Sequence, residues 1–141
     1  MQPRRVDPEE ARYLMEKEGY LYVDVRSIPE FEQGHPAGAY NVPLQHLGPA
    51  GMTPNPDFMG VMQKAFPRDA KLVMGRKSGG RSLAAASMLL AAGFTQVVDQ
   101  RCGFDGGFGP TGGFDPGWRR RGLPVSTSAP PDRSYEGLRS K

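Results

Sequence analysis

One segment limits what this chain can fold into more than any other: an apolar run, a cationic glycine-rich loop and an alanine-rich stretch follow one another directly. Lys71 to Gly75 predicts a buried strand, and Arg81 to Ala92 predicts a helix that Gly93 ends. Between them, Gly79 and Gly80 permit positive φ angles, so consecutive backbone N–H groups can converge on one point, where the helix N-terminus also favours negative charge. The segment therefore predicts an anion-binding loop, with the members Arg76, Lys77, Ser78, Gly79, Gly80, Arg81 and Ser82.

The remainder of the chain up to residue 125 alternates short strands with helices. Asp7 is the predicted N-cap of a first helix, and Tyr20 to Val25 is aromatic and β-branched, as strands are. Asp57 to Phe66 has the apolar spacing of an amphipathic helix, and Thr95 to Val98 predicts another short strand. Such alternation is typical of an α/β domain with a mainly parallel sheet. We expect one domain over residues 1–125, because 141 residues are too few for two ordinary domains.

Three stretches have compositions that do not predict regular structure. Residues 35–56 are rich in glycine and proline, with Tyr40 to Val42 as a brief strand. Gly103 to Gly117 contains seven glycines and predicts a long loop, followed by a closing helical turn whose Trp118 packs on the body of the domain. Residues 126–141 are polar and hold few apolar side chains, so we expect a flexible polar tail.

Composition narrows the classes of function. The net charge of +3 is mild and spread along the chain, which does not favour nucleic acid as a partner. The single cysteine, Cys102, excludes an intramolecular disulfide framework and fits a reducing compartment, so we expect a cytoplasmic protein. His35 and His46 lie apart without partners at ligand spacing, and we expect neither a metal nor a cofactor. Since no apolar run approaches the ~20 residues that span a bilayer, we expect no membrane contact.

Two sets of motifs resemble the rhodanese-like sulfurtransferase family. The first set is Asp24-Val25-Arg26, Glu30-Phe31, Gly34-His35, Gly38-Ala39 and Asn41-Val42-Pro43. The second set is Ser78-Gly79-Gly80-Arg81-Ser82, Ala84-Ala85, Leu89 and Ala92-Gly93-Phe94, which resembles the active-site loop and helix of that family. The match runs in register over about residues 5–125. The resemblance implies a rhodanese-like fold, a five-stranded mainly parallel sheet flanked by helices, and transfer of a sulfane sulfur from a donor such as thiosulfate.

In that family the sulfur is carried as a persulfide on a loop cysteine, five residues before the loop arginine. Counting back from Arg81 gives Arg76, and counting for the longer loop of related phosphatases gives Gly75; neither is a cysteine. Arginine stays protonated at physiological pH and is not a nucleophile. The resemblance thus predicts no catalytic nucleophile in the loop. We expect a module that binds a small oxyanion or a protein partner; the sequence leaves the oligomeric state open.

The alternative is a sulfurtransferase that uses Cys102 or a route that the sequence does not reveal. Cys102 follows the strand at Thr95 to Val98, whose carboxyl end lies on the same sheet edge as that of Lys71 to Gly75. An inert small side chain is the simpler interpretation of Cys102, and Ser78 and Ser82 have no visible base beside them.

Three polar residues of the first motif set complete the candidate site. Asp24 and Arg26 are expected to hydrogen-bond the active-site loop and the Glu30 region rather than to attract a donor. His35 is expected to tie down its own loop through hydrogen bonds rather than to act as an acid or a base.

Overall fold

The fold is built on one central sheet, and a computed structural model describes it for residues 3–77, 82–108 and 113–140; the side chains of Ser82 and Phe108 lie outside that description. The strands are β1 (Arg4–Val6), β2 (Leu21–Asp24), β3 (His35–Pro36), β4 (Tyr40–Asn41), β5 (Gln45–Gly48), β6 (Gly51–Pro54), β7 (Lys71–Gly75), β8 (Gln96–Gln100), β9 (Gly106–Phe108), β10 (Phe114–Pro116) and β11 (Val125–Ser126). The α-helices are α1 (Pro8–Lys17), α2 (Ile28–Gln33), α3 (Phe58–Ala65), α4 (Ser82–Ala91) and α5 (Tyr135–Arg139), with a 3₁₀ helix at Trp118–Arg121.

The central sheet has five strands in the order β1-β8-β7-β2-β4, and every pairing within it is parallel. The predicted α/β class and the predicted five-stranded sheet are therefore confirmed. The sequence analysis did not predict β1, because its three residues include two exposed arginines and show no apolar pattern. Hydrogen bonding to β8 places Arg4 opposite Val98 and completes the edge of the sheet.

Both faces of the sheet are buried, and they carry two separate apolar clusters. Neighbouring strand residues point to opposite faces, so Tyr22 belongs to one cluster and Val23 to the other. The first cluster lies under α3, α4 and α5; the second lies under α1 and the 3₁₀ helix. A sheet covered on both sides requires nearly continuous apolar strands, which explains the run at Leu72–Met74.

The C-terminal segment differs from the flexible tail that the sequence analysis predicted. β11 pairs with β3, and α5 places Tyr135 and Leu138 in the apolar cluster beneath α3. Only 1% of the surface of Leu138 is exposed. The expectation that residues 126–141 bury nothing is wrong for the described residues, because two apolar side chains three positions apart face the same side of a helix. Ser134 caps this helix by accepting a hydrogen bond from the Gly137 amide at 3.2 Å.

We expect Leu138→Ala to lower the free energy of unfolding by about 2–5 kcal/mol, because the change leaves a cavity in the packed core. Urea denaturation followed by circular dichroism measures the change. The matched control is Leu47→Ala in the exposed turn of β5 and β6, which we expect to alter stability by less than about 0.5 kcal/mol. Equal stability of the two variants would contradict the packed position of α5.

Two hairpins appear where the sequence analysis predicted irregular loops. β5 pairs with β6 inside the glycine- and proline-rich stretch, and β9 pairs with β10 inside the glycine-rich stretch after Cys102. Gly106 permits the second hairpin, since its φ is 91° and a Cβ there would lie 2.5 Å from the Asp115 carbonyl oxygen. Glycine at this position allows two backbone segments to approach closely. Composition alone does not distinguish such a glycine from one in an irregular loop.

The predicted closing turn at Trp118 is confirmed. The indole is buried, and its Nε1 donates a hydrogen bond to the Pro124 carbonyl oxygen at 2.7 Å. Its ring meets Tyr22 edge to face at a centroid distance of 5.5 Å, so the 3₁₀ helix is fixed to the sheet. Within the described residues, no helix has the length and apolar character needed to cross a membrane.

Candidate functional site

The candidate site lies at the carboxyl edge of the central sheet. In the register of β2 and β7, Asp24 pairs with Gly75, and the parallel arrangement brings the chain after β8 to the same edge. The backbone continues this contact beyond the strands: the Phe104 amide donates to the Arg76 carbonyl oxygen at 2.6 Å, and the Asp105 amide donates to that of Lys77 at 2.8 Å. The start of the loop is thus held between two neighbouring segments.

Gly75 is packed so tightly that no side chain fits at this position. A Cβ built there would lie 1.7 Å from the Tyr22 hydroxyl oxygen. That hydroxyl accepts a hydrogen bond from Gln100 Nε2 at 3.2 Å, and burial raises its pKa well above the usual value, so the group stays neutral. Of the two positions that the family register left open for a cysteine, only Arg76 has room for a side chain in this arrangement.

Arg76 and Lys77 lie next to each other in sequence but line different cavities. Arg76 is half-buried, and its Nη2 donates to Gln45 Oε1 at 3.2 Å in a cavity of about 540 Å³. Lys77 is exposed and lines a more polar cavity of about 440 Å³, together with Arg26 and Arg119. Of the predicted loop cations, Arg76 and Lys77 therefore do not converge on one point.

The other predicted members of the loop fall outside the part of the chain that the structure describes. Ser78, Gly79, Gly80 and Arg81 lie outside the described residues, as does the side chain of Ser82, whose backbone begins α4. The convergence of N–H groups that the glycines predict therefore stays a prediction.

Asp24 and Arg26 form a buried ion pair with several hydrogen bonds. Arg26 Nη2 donates to Asp24 Oδ2 at 2.7 Å and to the Gly34 carbonyl oxygen at 2.6 Å. Its guanidinium also lies 4.4 Å from the centre of the Phe104 ring. Burial acts to lower the pKa of Arg26, but the adjacent Asp24 outweighs it and the pKa is raised. The pair ties β2, the end of α2 and the segment after β8 together, as a positioning element does.

His35 is buried and makes its contacts with backbone carbonyl groups. Its Nδ1 lies 2.7 Å from the Phe31 oxygen and its Nε2 lies 3.0 Å from the Ser128 oxygen. The ring also stacks on Phe31 with a centroid distance of 3.7 Å. These contacts connect α2 to the C-terminal segment. One of the two carbonyl groups, that of Ser128, belongs to a segment that the sequence analysis expected to be unpacked.

Cys102 precedes Gly103 and Phe104, which lie against the backbone of Arg76, but its thiol faces another group of residues. Only 2% of the residue is exposed, and Sγ accepts a hydrogen bond from Arg121 Nη2 at 3.4 Å. Arg121 also contacts Glu9 and Asp115. Burial raises the pKa of the Cys102 thiol, with the charge of Arg101 acting in the opposite direction. A thiol in this environment is a weak nucleophile.

Some contacts at the site were not visible in the sequence. Gln45 sits in a stretch with no motif, and its meeting with Arg76 depends on the β5–β6 hairpin. The space for a side chain at Gly75 is filled by Tyr22, which lies more than fifty positions away in sequence. Among the described residues, no cluster of three or more His, Cys, Asp or Glu side chains suits a metal ion.

Comparison with known proteins identifies the family. The sequence profile of the rhodanese-like domain matches residues 7–107, which is well over half of the chain. The chain belongs to the rhodanese-like domain family. This domain is 42% identical over 107 residues to thiosulfate sulfurtransferase 16, a chloroplastic protein of Arabidopsis thaliana, with 76% of this chain and 80% of the relative covered. It is 38% identical over 123 residues to senescence-associated protein DIN1 of Raphanus sativus, with 87% of this chain and 61% of the relative covered.

Solved structures show a similar fold. The crystal structure of Rv0390 from M. tuberculosis superimposes on this rhodanese-like domain with a TM-score of 0.74, at 26% identity, over 91% of this chain and all of that chain. A rhodanese-related protein from Thermoplasma volcanium gives a TM-score of 0.63 at 22% identity, over 89% and 99% of the two chains.

Proposed function

We propose that this rhodanese-like domain does not transfer sulfur through its loop and instead binds a small oxyanion, or an acidic group of a protein partner, at the start of that loop. The observation that carries the proposal is the position of Arg76. It follows β7 directly, at the first position after the strand where a side chain has room. The family resemblance assigns this position to the sulfur-carrying cysteine.

The chemistry of arginine supports binding rather than turnover. A persulfide requires a thiolate that attacks a donor sulfur and later releases it. A guanidinium has no such electron pair, but it offers planar N–H donors that suit sulfate, thiosulfate, phosphate or carboxylate. One of its partners, Gln45, is an uncharged amide, so this contact does not neutralise the positive charge of Arg76.

The environment of Cys102 supports the same conclusion. Its thiol is buried, is hydrogen-bonded by Arg121, and has a raised pKa caused first by burial. A relocated nucleophile needs an exposed thiolate. We therefore propose a structural role for Cys102, with sulfur transfer through this residue as the outcome that contradicts it.

Calorimetric titration with thiosulfate, sulfate and phosphate tests the proposal. We expect binding to the wild type, and a loss of about ten- to a hundredfold in affinity in Arg76→Ala, because a charge-assisted hydrogen bond disappears. Arg12→Ala on α1 is the matched control, since it removes an equal charge from an exposed i,i+4 pair with Glu16. No binding to any of the three anions, or equal binding in both variants, would overturn the oxyanion proposal.

An assay of sulfur transfer from thiosulfate to cyanide tests the proposal that the domain has no sulfurtransferase activity. We expect no turnover above background in the wild type or in Cys102→Ser. Turnover that disappears in Cys102→Ser would establish the alternative, a sulfurtransferase that uses Cys102.

A further inference from the structure

The cavity that Arg76 lines is an apolar groove, which we call the Arg76 groove. Residues of the β5–β6 hairpin, of α3 and of α4 line it, together with Arg76, which follows β7 directly. The apolar side chains that line it include Leu44, Pro54, Phe58, Met59, Ala84 and Met88. Its volume of about 540 Å³ is in the range of pockets that hold organic molecules, and is far larger than a bare oxyanion fills.

The charge of the Arg76 groove is of one sign. Among the described residues that line it, Arg76 is the only ionisable side chain. Gln45 and Asn55 supply neutral polar groups. A positive charge at one end of an apolar groove matches a ligand that carries an anionic head and an apolar body. The polar cavity beside Lys77 lacks this character, because Glu30 and Asp105 line it together with its cations.

The Arg76 groove is preformed by buried hydrogen bonds at its rim. Asn55 Nδ2 donates to the Pro43 carbonyl oxygen at 2.9 Å and to the Tyr135 hydroxyl oxygen at 3.1 Å. The backbone N–H of Asn55 donates to the Leu44 carbonyl oxygen at 3.0 Å. These bonds fix the end of the hairpin to α5. A groove that is already shaped loses little conformational entropy when a ligand enters it.

We propose that the ligand of this site is a small organic anion, with a sulfonate, thiosulfonate or carboxylate head on Arg76 and an alkyl or aryl body along the apolar walls. This inference rests on the proposed anion-binding function of Arg76 and specifies its ligand class. Arg76 supplies the charge, and Met59 and Met88 supply adaptable apolar contact.

A homologous series of alkanesulfonates measures the contribution of the apolar body. Titration of the wild type with sulfate, ethanesulfonate, butanesulfonate and hexanesulfonate is expected to give an affinity that rises about two- to fourfold per added methylene. Labelling of the methionine methyl groups with ¹³C locates the ligand: the Met59 and Met88 signals are expected to shift, and those of Met15 and Met52 to stay.

Two methionine variants provide a matched pair. Met88→Gln polarises the groove wall at a residue that is 44% exposed, so the fold is not at risk, and Met52→Gln makes the same change at a 38% exposed residue outside the groove. We expect Met88→Gln to reduce hexanesulfonate affinity about five- to tenfold and leave sulfate affinity unchanged. We expect Met52→Gln to change neither.

The outcomes separate this inference from the proposed function. If sulfate and thiosulfate bind with dependence on Arg76 but chain length has no effect, the inference fails and the proposed function stands. If affinity rises with chain length but is equal in Arg76→Ala, the groove binds apolar chains without an anion site, and both fail. If no sulfonate and no inorganic anion binds, both fail as well.

Discussion

Arg76→Cys is expected to convert this domain into a thiosulfate sulfurtransferase. A thiolate at position 76 can attack the outer sulfur of thiosulfate, release sulfite and carry the sulfur as a persulfide, which cyanide then removes as thiocyanate. The new rate should exceed the background by at least about a hundredfold, because the wild-type loop offers no nucleophile. Thiocyanate formation measures it directly, and mass spectrometry of the protein after thiosulfate alone should show the added sulfur.

The control for this gain of activity is a cysteine near the loop but not in it. Met88→Cys places an exposed thiol in the wall of the Arg76 groove, and it should remain at background. Equal activity of Met88→Cys and Arg76→Cys would show that the thiol reacts without help from the loop. A folded Arg76→Cys without activity would contradict the view that the cysteine is the only part of the site that is missing.

Arg26→Met is expected to give the largest loss of stability among the site residues, about 3–5 kcal/mol, because it leaves the Asp24 carboxylate buried without its partner. The substitution also removes the hydrogen bond from Arg26 to the Gly34 carbonyl oxygen, which adds to the loss of stability. Urea denaturation of the variant, monitored by circular dichroism, measures the free energy of unfolding.

The control for the buried pair is an exposed one. Arg12→Met breaks the exposed pair with Glu16 on α1 and should cost less than about 1 kcal/mol. In Asp24→Asn/Arg26→Met, the remaining amide carries no charge, so part of the stability should return. A loss in Arg26→Met no larger than in Arg12→Met would show that Asp24 does not depend on its partner.

The sequence predicted β2, β4, β7, β8, α1, α3 and α4 from apolar composition and spacing, and its resemblance to the family implied five strands, although β1 was not predicted. It failed where a few side chains decide the outcome. Tyr135 and Leu138 sit in a polar segment of low average hydropathy, and only their contact with α3 shows that the segment packs. Gly106 in β9 and Gly117 after β10 indicate a loop by composition, although each is a glycine position because another backbone segment approaches it closely.

The sequence predicted several residues of the candidate site but not how their side chains are directed. Asp24, Arg26 and Arg76 were found because motifs mark them, and the structure places them at one sheet edge. A motif does not predict the direction in which each side chain points. Arg76 and Lys77 line different cavities, and the Cys102 thiol faces Arg121. Such directions depend on distant residues, namely Tyr22 behind Gly75 and the hairpin that carries Gln45.

The lone tryptophan makes indole fluorescence sensitive to one face of the sheet and not to the other. Trp118 is buried against Tyr22 on the face that α1 covers, while α5 and the Arg76 groove belong to the other face. Indole fluorescence therefore reports the unfolding of one half of the core. If α5 detaches before the rest of the molecule unfolds, circular dichroism will register a loss of helix while the emission of Trp118 stays that of a buried indole.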